Sequence, residues 1–235
     1  MKAVILGCSH AAGAEMYQDP AITVEDPESF GFLNSYPVSI ARQLGYEPEN
    51  WAISGGSNDA MFRIFAEQLP RLTQQDIVIA CWTGTDRTEV QHELTQQWLP
   101  LSVGQHNFNP TEPRSYARSG VNLGGRIPLE AEYQHYHGLW TRFHVNHQSS
   151  RLNKIKNILA LNSLAQSHSV QVVNINSFYP VELTDGIVWA VDESFCDWAD
   201  RHGYPRTAWG HYFFNAHQAF ADLVVTGLTQ HLDAV

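Results

Sequence analysis

Cysteine is scarce in this chain. There are three in 235 residues, Cys8, Cys81 and Cys196, an odd number with no C-x-x-C pair. That excludes a disulfide framework and fits a reducing compartment. No apolar run approaches the ~20 residues of a membrane-spanning helix. Basic residues are also few: 14 Lys and Arg stand against 24 Asp and Glu, a formal net charge of −10. A surface of that sign repels a phosphate backbone, so the electrostatic footprint of nucleic-acid recognition is missing. There is no internal repeat and no sustained low-complexity run. In the opening "VILGC" one Lys and a short apolar run precede the Gly-Cys pair, too little for the roughly 7–15-residue core of a secretory signal. These absences predict a soluble, cytoplasmic protein, with neither nucleic acid nor membrane as partner. They leave the oligomeric state open.

What is present is a core. A composition that is 43% hydrophobic over this length supports a single domain spanning 1–235. Lys2–Leu6 is short and continuously apolar, as a central parallel strand is. "SYPVSIARQLGYEPENW" reads as a helix after a Pro- and acid-containing loop, with Ser35 at its cap, Pro37 in its first turn and Gly45 at its end. "NWAIS" reads as a second strand. A helix from Asp59 to about Leu69 follows, capped by Ser57 or Asn58. "DIVIACW" is a third strand. The alternation predicts an α/β fold, a three-layer α/β/α sandwich on a central parallel sheet. From about 93 to 132 the chain has four prolines and no periodicity, which predicts a long irregular insertion. A helical stretch follows from about Tyr133 to Ser167, with a break near Asn146–Ser150 and a packing face that includes Leu152, Ile158, Leu159 and Leu161. "VQVVNIN" is a fourth strand, "IVWAV" a fifth strand or an apolar loop, and a helix from roughly Phe213 to Leu232 closes the chain.

Each strand ends in small or polar residues: Gly7-Cys8-Ser9, Ser54-Gly55-Gly56 and Thr83-Gly84-Thr85. In open α/β sheets the ligand crevice lies beyond these carboxyl ends. Ser9 can face it on a glycine-marked turn, or it can simply cap the next helix. A serine nucleophile needs a positioned base. His211, just before the last helix, suits that role, whereas His217 inside the helix reads as a packing residue. Arg87 can join a surface ion network with Asp86 and Glu89, or it can bind an anionic group of a substrate. The cluster His135, His137, His144 and His147 lacks signature metal spacing, so neither a metal nor any other cofactor is expected.

Taken together, these blocks resemble the SGNH (GDSL-like) hydrolases. The first block, a Gly-Asp-Ser turn after the first strand, reads here as Gly7-Cys8-Ser9. The second, like Asn-x-Gly-x-Ser-Gly, matches at Asn50, Ser54 and Gly55. The third, Gly-x-Asn-Asp, aligns with Gly84-Thr85-Asp86-Arg87. The last, whose two histidines lie six residues apart, matches from His211 to His217. The "SGGSND" and "WTGTDRTE" wording is similar to SGNH-like proteins of tailed phages. The resemblance implies a serine esterase acting on carboxylic esters, with O-acetyl groups on carbohydrate as the expected class and a small-molecule or glycan ester as its partner. Ser9 would be nucleophile and His211 base. The N–H groups of Ser9 and Gly55 would form the oxyanion hole, with Asn58, Thr83 or Asp86 as a third donor.

Three departures stand out. Cys8 replaces the Asp before the serine. Asp86 replaces an Asn, and a carboxylate there opposes an oxyanion. Ala208 stands where the triad Asp is expected, three residues before His211. Asp197, Asp200 or Asp192 could reach back to serve as the acid. The alternative implied is a catalytically weakened SGNH-like module that serves as a binding or virion-associated protein.

Overall fold

Alternate residues of two strands supply both faces of one sheet. In β1 (Lys2–Leu6), Ala3 and Ile5 pack to one side while Val4 and Leu6 pack to the other. In β3 (Ile77–Trp82), Ile79 and Cys81 oppose Val78, Ala80 and Trp82 in the same way. All six residues of β3 are buried, so it must be covered on both faces. The computed structural model describes residues 1–18, 26–91, 96, 98–102, 130–143, 146–181, 186–208 and 210–232.

The parallel sheet has the order β2-β1-β3-β6, with β2 at Glu47–Asn50 and β6 at Gln171–Asn176. One face is covered by α3 (Tyr36–Gln43), α7 (Phe195–Arg201) and α8 (Phe214–Leu232). The other is covered by α4 (Asn58–Gln68) and α6 (His147–Ser167). This is the expected three-layer α/β/α sandwich. The other α-helices described are α1 (Ser9–Ala12), α2 (Pro27–Asn34) and α5 (Glu130–Phe143). Among the described residues, no helix is long and apolar enough to cross a membrane.

Several expectations need correction. The second strand is Glu47–Asn50, earlier than "NWAIS". As an edge strand that pairs, among the described residues, with β1 alone, it tolerates Pro48 and two acids. Trp51 and Ile53 still donate to the carbonyls of Ile5 and Gly7, at 2.8 and 3.0 Å, so the segment continues alongside the end of β1. The acid-rich segment expected as loop contains α2, whose N-cap Asp26 accepts from Ser29 N–H and whose first turn holds Pro27. Ser35 takes the N-cap position of α3, but its side chain makes no capping bond. Ser57 does cap α4, accepting from Ala60 N–H. On α6, Leu152 and Leu159 are exposed, and the packing face is Ile158, Leu161 and Ala165. Asn146 caps α6 and marks the expected break.

The irregular insertion is trimmed at both ends. It opens on an antiparallel hairpin, β4 (Arg87–Gln91) with β5 (Trp98–Ser102), and α5 already starts at Glu130. Residues 103–129 lie outside the described residues. "IVWAV" makes one parallel bridge from Trp189 to Asn174 and is an apolar segment rather than a full strand.

Gly7 sets the geometry of the turn after β1. A Cβ there would stand 2.5 Å from that of Ala11 and 3.0 Å from that of Cys81. Only glycine lets α1 start so close to β3. Asn50 then ties this corner together. Its amide donates to the carbonyls of Ala11 and Phe32 and accepts from Ala52 N–H.

Candidate active site

Ser9 is the first residue of α1, at the carboxyl end of β1, and is 5% exposed. The N-cap position belongs to Cys8, with no side-chain capping bond, so the Ser9 hydroxyl is not used as a cap. α1 is a single turn. It closes at Gly13 in the left-handed region, whose N–H donates to His10 O and, next in line, Ala14 N–H to Ser9 O. Gly13 and Gly31 approach so tightly that a Cβ on either would stand 2.0 Å from the other's carbonyl oxygen. Two residues on, Glu15 adopts φ +61, a conformation that costs a non-glycine residue energy.

That strained turn aims the Glu15 carboxylate at the other end of the chain. His211 Nδ1 donates to Glu15 Oε2 at 3.0 Å, and both side chains are mostly buried, at 17% and 18% exposed. Thr207 Oγ1 donates to the same carboxylate oxygen. Thr207 also brackets the histidine backbone, its N–H donating to His211 O at 2.7 Å and its Oγ1 accepting from His211 N–H at 3.2 Å. A carboxylate accepts, so Nδ1 carries the proton and Nε2 is left as the acceptor. That is the tautomer a general base requires.

His10, next to Ser9, backs this ring. Its centroid lies 4.9 Å from that of His211 and 4.9 Å from that of Phe178, and Phe195 and Tyr212 complete the wall. Burial first, then the neighbouring His211, holds the His10 imidazole well below its ordinary range, so it stays neutral. Its Nε2 meets Cys196 Sγ at 3.6 Å, and burial keeps that thiol protonated. His217 is a buried packing residue as expected. It accepts from Tyr36 N–H, and burial lowers it to about 3.

The expected acids are engaged elsewhere. Asp197 accepts from the Ser194 hydroxyl within the N-cap of α7. Asp200 takes the Tyr212 hydroxyl at 2.6 Å and the Arg206 guanidinium. Neither is on His211. Glu15 is, and it was missed because it belongs to neither terminal motif. A signal did exist, since an acid six residues after the serine lies in the same turn.

Gly55 is buried beyond the β2 segment. Asn58 is committed to the backbone, its Nδ2 donating to Thr83 O and Gly84 O and its Oδ1 accepting from Thr83 N–H. It therefore fixes the loop after β3 and keeps no N–H for a substrate. Asp86 is folded back, its Oδ1 2.6 Å from where a Gly84 Cβ would stand. Of the three expected donors, Thr83 alone holds a buried hydroxyl without a partner among the described residues. Arg87 does not form the expected surface network, because Glu89 is bound by Arg63 Nε at 2.7 Å and Nη2 at 3.1 Å. His135 and His147 are exposed on separate helices. His144 lies outside the described residues, and among those described no three metal-ligating side chains converge.

No family model matches the chain, and no curated protein does. Among solved structures it is similar to an acetyl xylan esterase (Est2A) from the rumen bacterium Butyrivibrio proteoclasticus, at 12% identity and a TM-score of 0.50. That match covers 99% of this chain and 64% of the esterase, so the chain spans less than two thirds of it. A protein from Desulfitobacterium hafniense DCB-2, described as lipolytic and of the G-D-S-L family, matches at 12% identity and a TM-score of 0.33, over 96% of this chain and 98% of that one. The first likeness is one of fold.

Proposed function

We propose that the chain is a serine hydrolase of carboxylic esters, working through Ser9, His211 and Glu15. The observation that carries this reading is the bond from His211 Nδ1 to Glu15 Oε2 at 3.0 Å. It supplies the orienting carboxylate that Ala208 withholds. Ser9 Oγ attacks the ester carbonyl while His211 Nε2 takes the hydroxyl proton and passes it to the leaving alcohol. Glu15 steadies the imidazolium that forms. The N–H groups of Ser9 and Gly55, with the Thr83 hydroxyl as third donor, take the oxyanion. Water then attacks the acyl-enzyme by the same proton route in reverse.

O-acetyl groups on carbohydrate are the substrate class favoured by the resemblance, and the acetyl xylan esterase of similar fold supports that choice. The wording of the second and third blocks favours the tailed-phage type of the superfamily. The weakened-module alternative rested on Asp86 and Ala208. The Glu15 carboxylate on His211 supports the hydrolase reading over it.

The test is turnover of p-nitrophenyl acetate together with labelling by a fluorophosphonate probe. The wild type should do both and Ser9→Ala neither. Labelling that persists in Ser9→Ala, or a folded wild type that is neither labelled nor active, sinks the assignment.

A further inference from the structure

The Nε and Nη1 atoms of Arg87 are buried, yet neither has a hydrogen-bond partner among the described residues. Buried guanidinium N–H groups left without an acceptor are a costly arrangement that folded chains ordinarily avoid. None of the described acids is bonded to it. Glu89 is held by two nitrogens of Arg63. Asp86 is folded onto Gly84. Asp59 accepts from Thr88, Asn153 and Asn157.

The position is rigid. The two residues after Arg87 anchor β4 to α4, through Thr88 on Asp59 and Glu89 on Arg63, and Arg63 in turn lies over the Trp98 ring at 4.7 Å. Arg87 itself lies over the Phe178 ring at 5.6 Å. The segment carrying that ring is held by the buried Lys154, whose Nζ donates to Phe178 O at 3.2 Å and Tyr179 O at 3.0 Å. Phe178 contacts His10, and His10 contacts His211, each pair of rings 4.9 Å apart. An unbroken row of contacts thus links the unpaired cation to the base.

We propose that Arg87 is the receptor for a carboxylate carried by the ester substrate. The enzyme would then select esters of acidic molecules over neutral ones. This deepens the hydrolase reading and rests on it for the place of the reacting ester. One guanidinium beside Asp86 matches a single negative charge better than a phosphate dianion. The rigid hairpin and the fixed Phe178 platform hold the cation in place before substrate arrives, which limits the ordering cost of binding.

The test uses the full chain and two matched pairs of esters. Mono-p-nitrophenyl succinate against p-nitrophenyl butyrate places the carboxylate on the acyl side. p-Acetoxybenzoate against phenyl acetate places it on the alcohol side. The wild type should favour the acidic member of one pair by about 10- to 100-fold in kcat/KM, chiefly through KM. Arg87→Met should erase that ratio and Arg87→Lys should keep part of it. Arg71→Met, which removes a cation from the surface, should leave it intact. Calorimetry of p-acetoxybenzoate and mono-p-nitrophenyl succinate on Ser9→Ala protein should show binding that the added Arg87→Met change removes. A wild type with no preference in either pair overturns the proposal whether or not Arg87→Met folds, and so does a preference that survives Arg87→Met. If no ester is turned over and Ser9 is not labelled, the hydrolase reading fails by itself. Calorimetry then decides, and binding that is absent or independent of Arg87 overturns the proposal.

Discussion

Glu15 and His211 stand 196 positions apart in the chain and share a hydrogen bond of 3.0 Å. The acid reaches the histidine from the turn after the serine rather than from the loop before the last helix. Its positive φ stores backbone strain at the place where the carboxylate is aimed.

Replacing Glu15 by Gln keeps the shape and removes the charge that fixes the tautomer. We expect kcat on p-nitrophenyl acetate to fall by about 10³- to 10⁴-fold with KM little changed, and Glu15→Asp to recover part of the loss. Thr207→Val removes a donor to Glu15 Oε2 and the acceptor of His211 N–H, and should cost about tenfold. Steady-state kinetics on the three variants decide this. A Glu15→Gln enzyme within tenfold of wild type would remove Glu15 from the triad.

Asp197→Asn provides the contrast. Its carboxylate serves the N-cap of α7 and not His211. Activity should stay within about threefold of wild type, with a stability loss of about 1 kcal/mol in urea melts from the weakened cap. A drop comparable to that of Glu15→Gln would restore Asp197 as the acid.

Asn58→Ala leaves Thr83 N–H, Thr83 O and Gly84 O without their side-chain partner in a buried corner. Stability should fall by about 2–3 kcal/mol. Because those bonds hold the loop after β3, kcat should fall as well. Chemical denaturation and ester turnover on the same preparation test both, and an Asn58→Ala protein as stable as wild type contradicts the tether.

Stability should also fall in acid. Unfolded, His10 and His217 titrate near their ordinary value of 6.5. Folded, burial holds His217 down to about 3 and His10 well below its ordinary range. Between those values the unfolded chain binds protons that the folded one refuses. The stability is complete above about pH 6.5 and declines as the pH drops, by about 1.4 kcal/mol per pH unit for each group. Urea midpoints at pH 7.5, 6 and 5 measure the slope, and His217→Gln should reduce it. An unchanged slope in that variant would clear His217 of the effect.

Much of the fold was legible. β1, β3 and β6 are apolar runs bounded by polar turns, and α4 announces itself with Ser57. α2 was not read as helix because Asp26, Pro27 and Glu28 look like loop composition, although Asp26 before Pro27 is also a helix start. α7 is a short helix whose Phe195 and Trp198 become informative only when packed against α8 and the sheet. β2 was placed late because Pro48 and two acids suit a strand only at an edge, and an edge is a property of the assembled sheet.

The sequence by itself determined the layered α/β class, and its resemblance to the SGNH hydrolases brought Ser9 and His211 forward as the expected nucleophile and base. Both follow from local patterns, namely apolar periodicity, glycine-marked turns and block spacing. Only the tertiary structure decided which acid bonds to His211, that the buried Thr83 hydroxyl is left without a partner among the described residues, and that Arg87 Nε and Nη1 are too. Those facts depend on pairings between residues far apart in the chain. Local propensity does not encode them, because packing alone settles which of several nearby carboxylates is already bonded elsewhere.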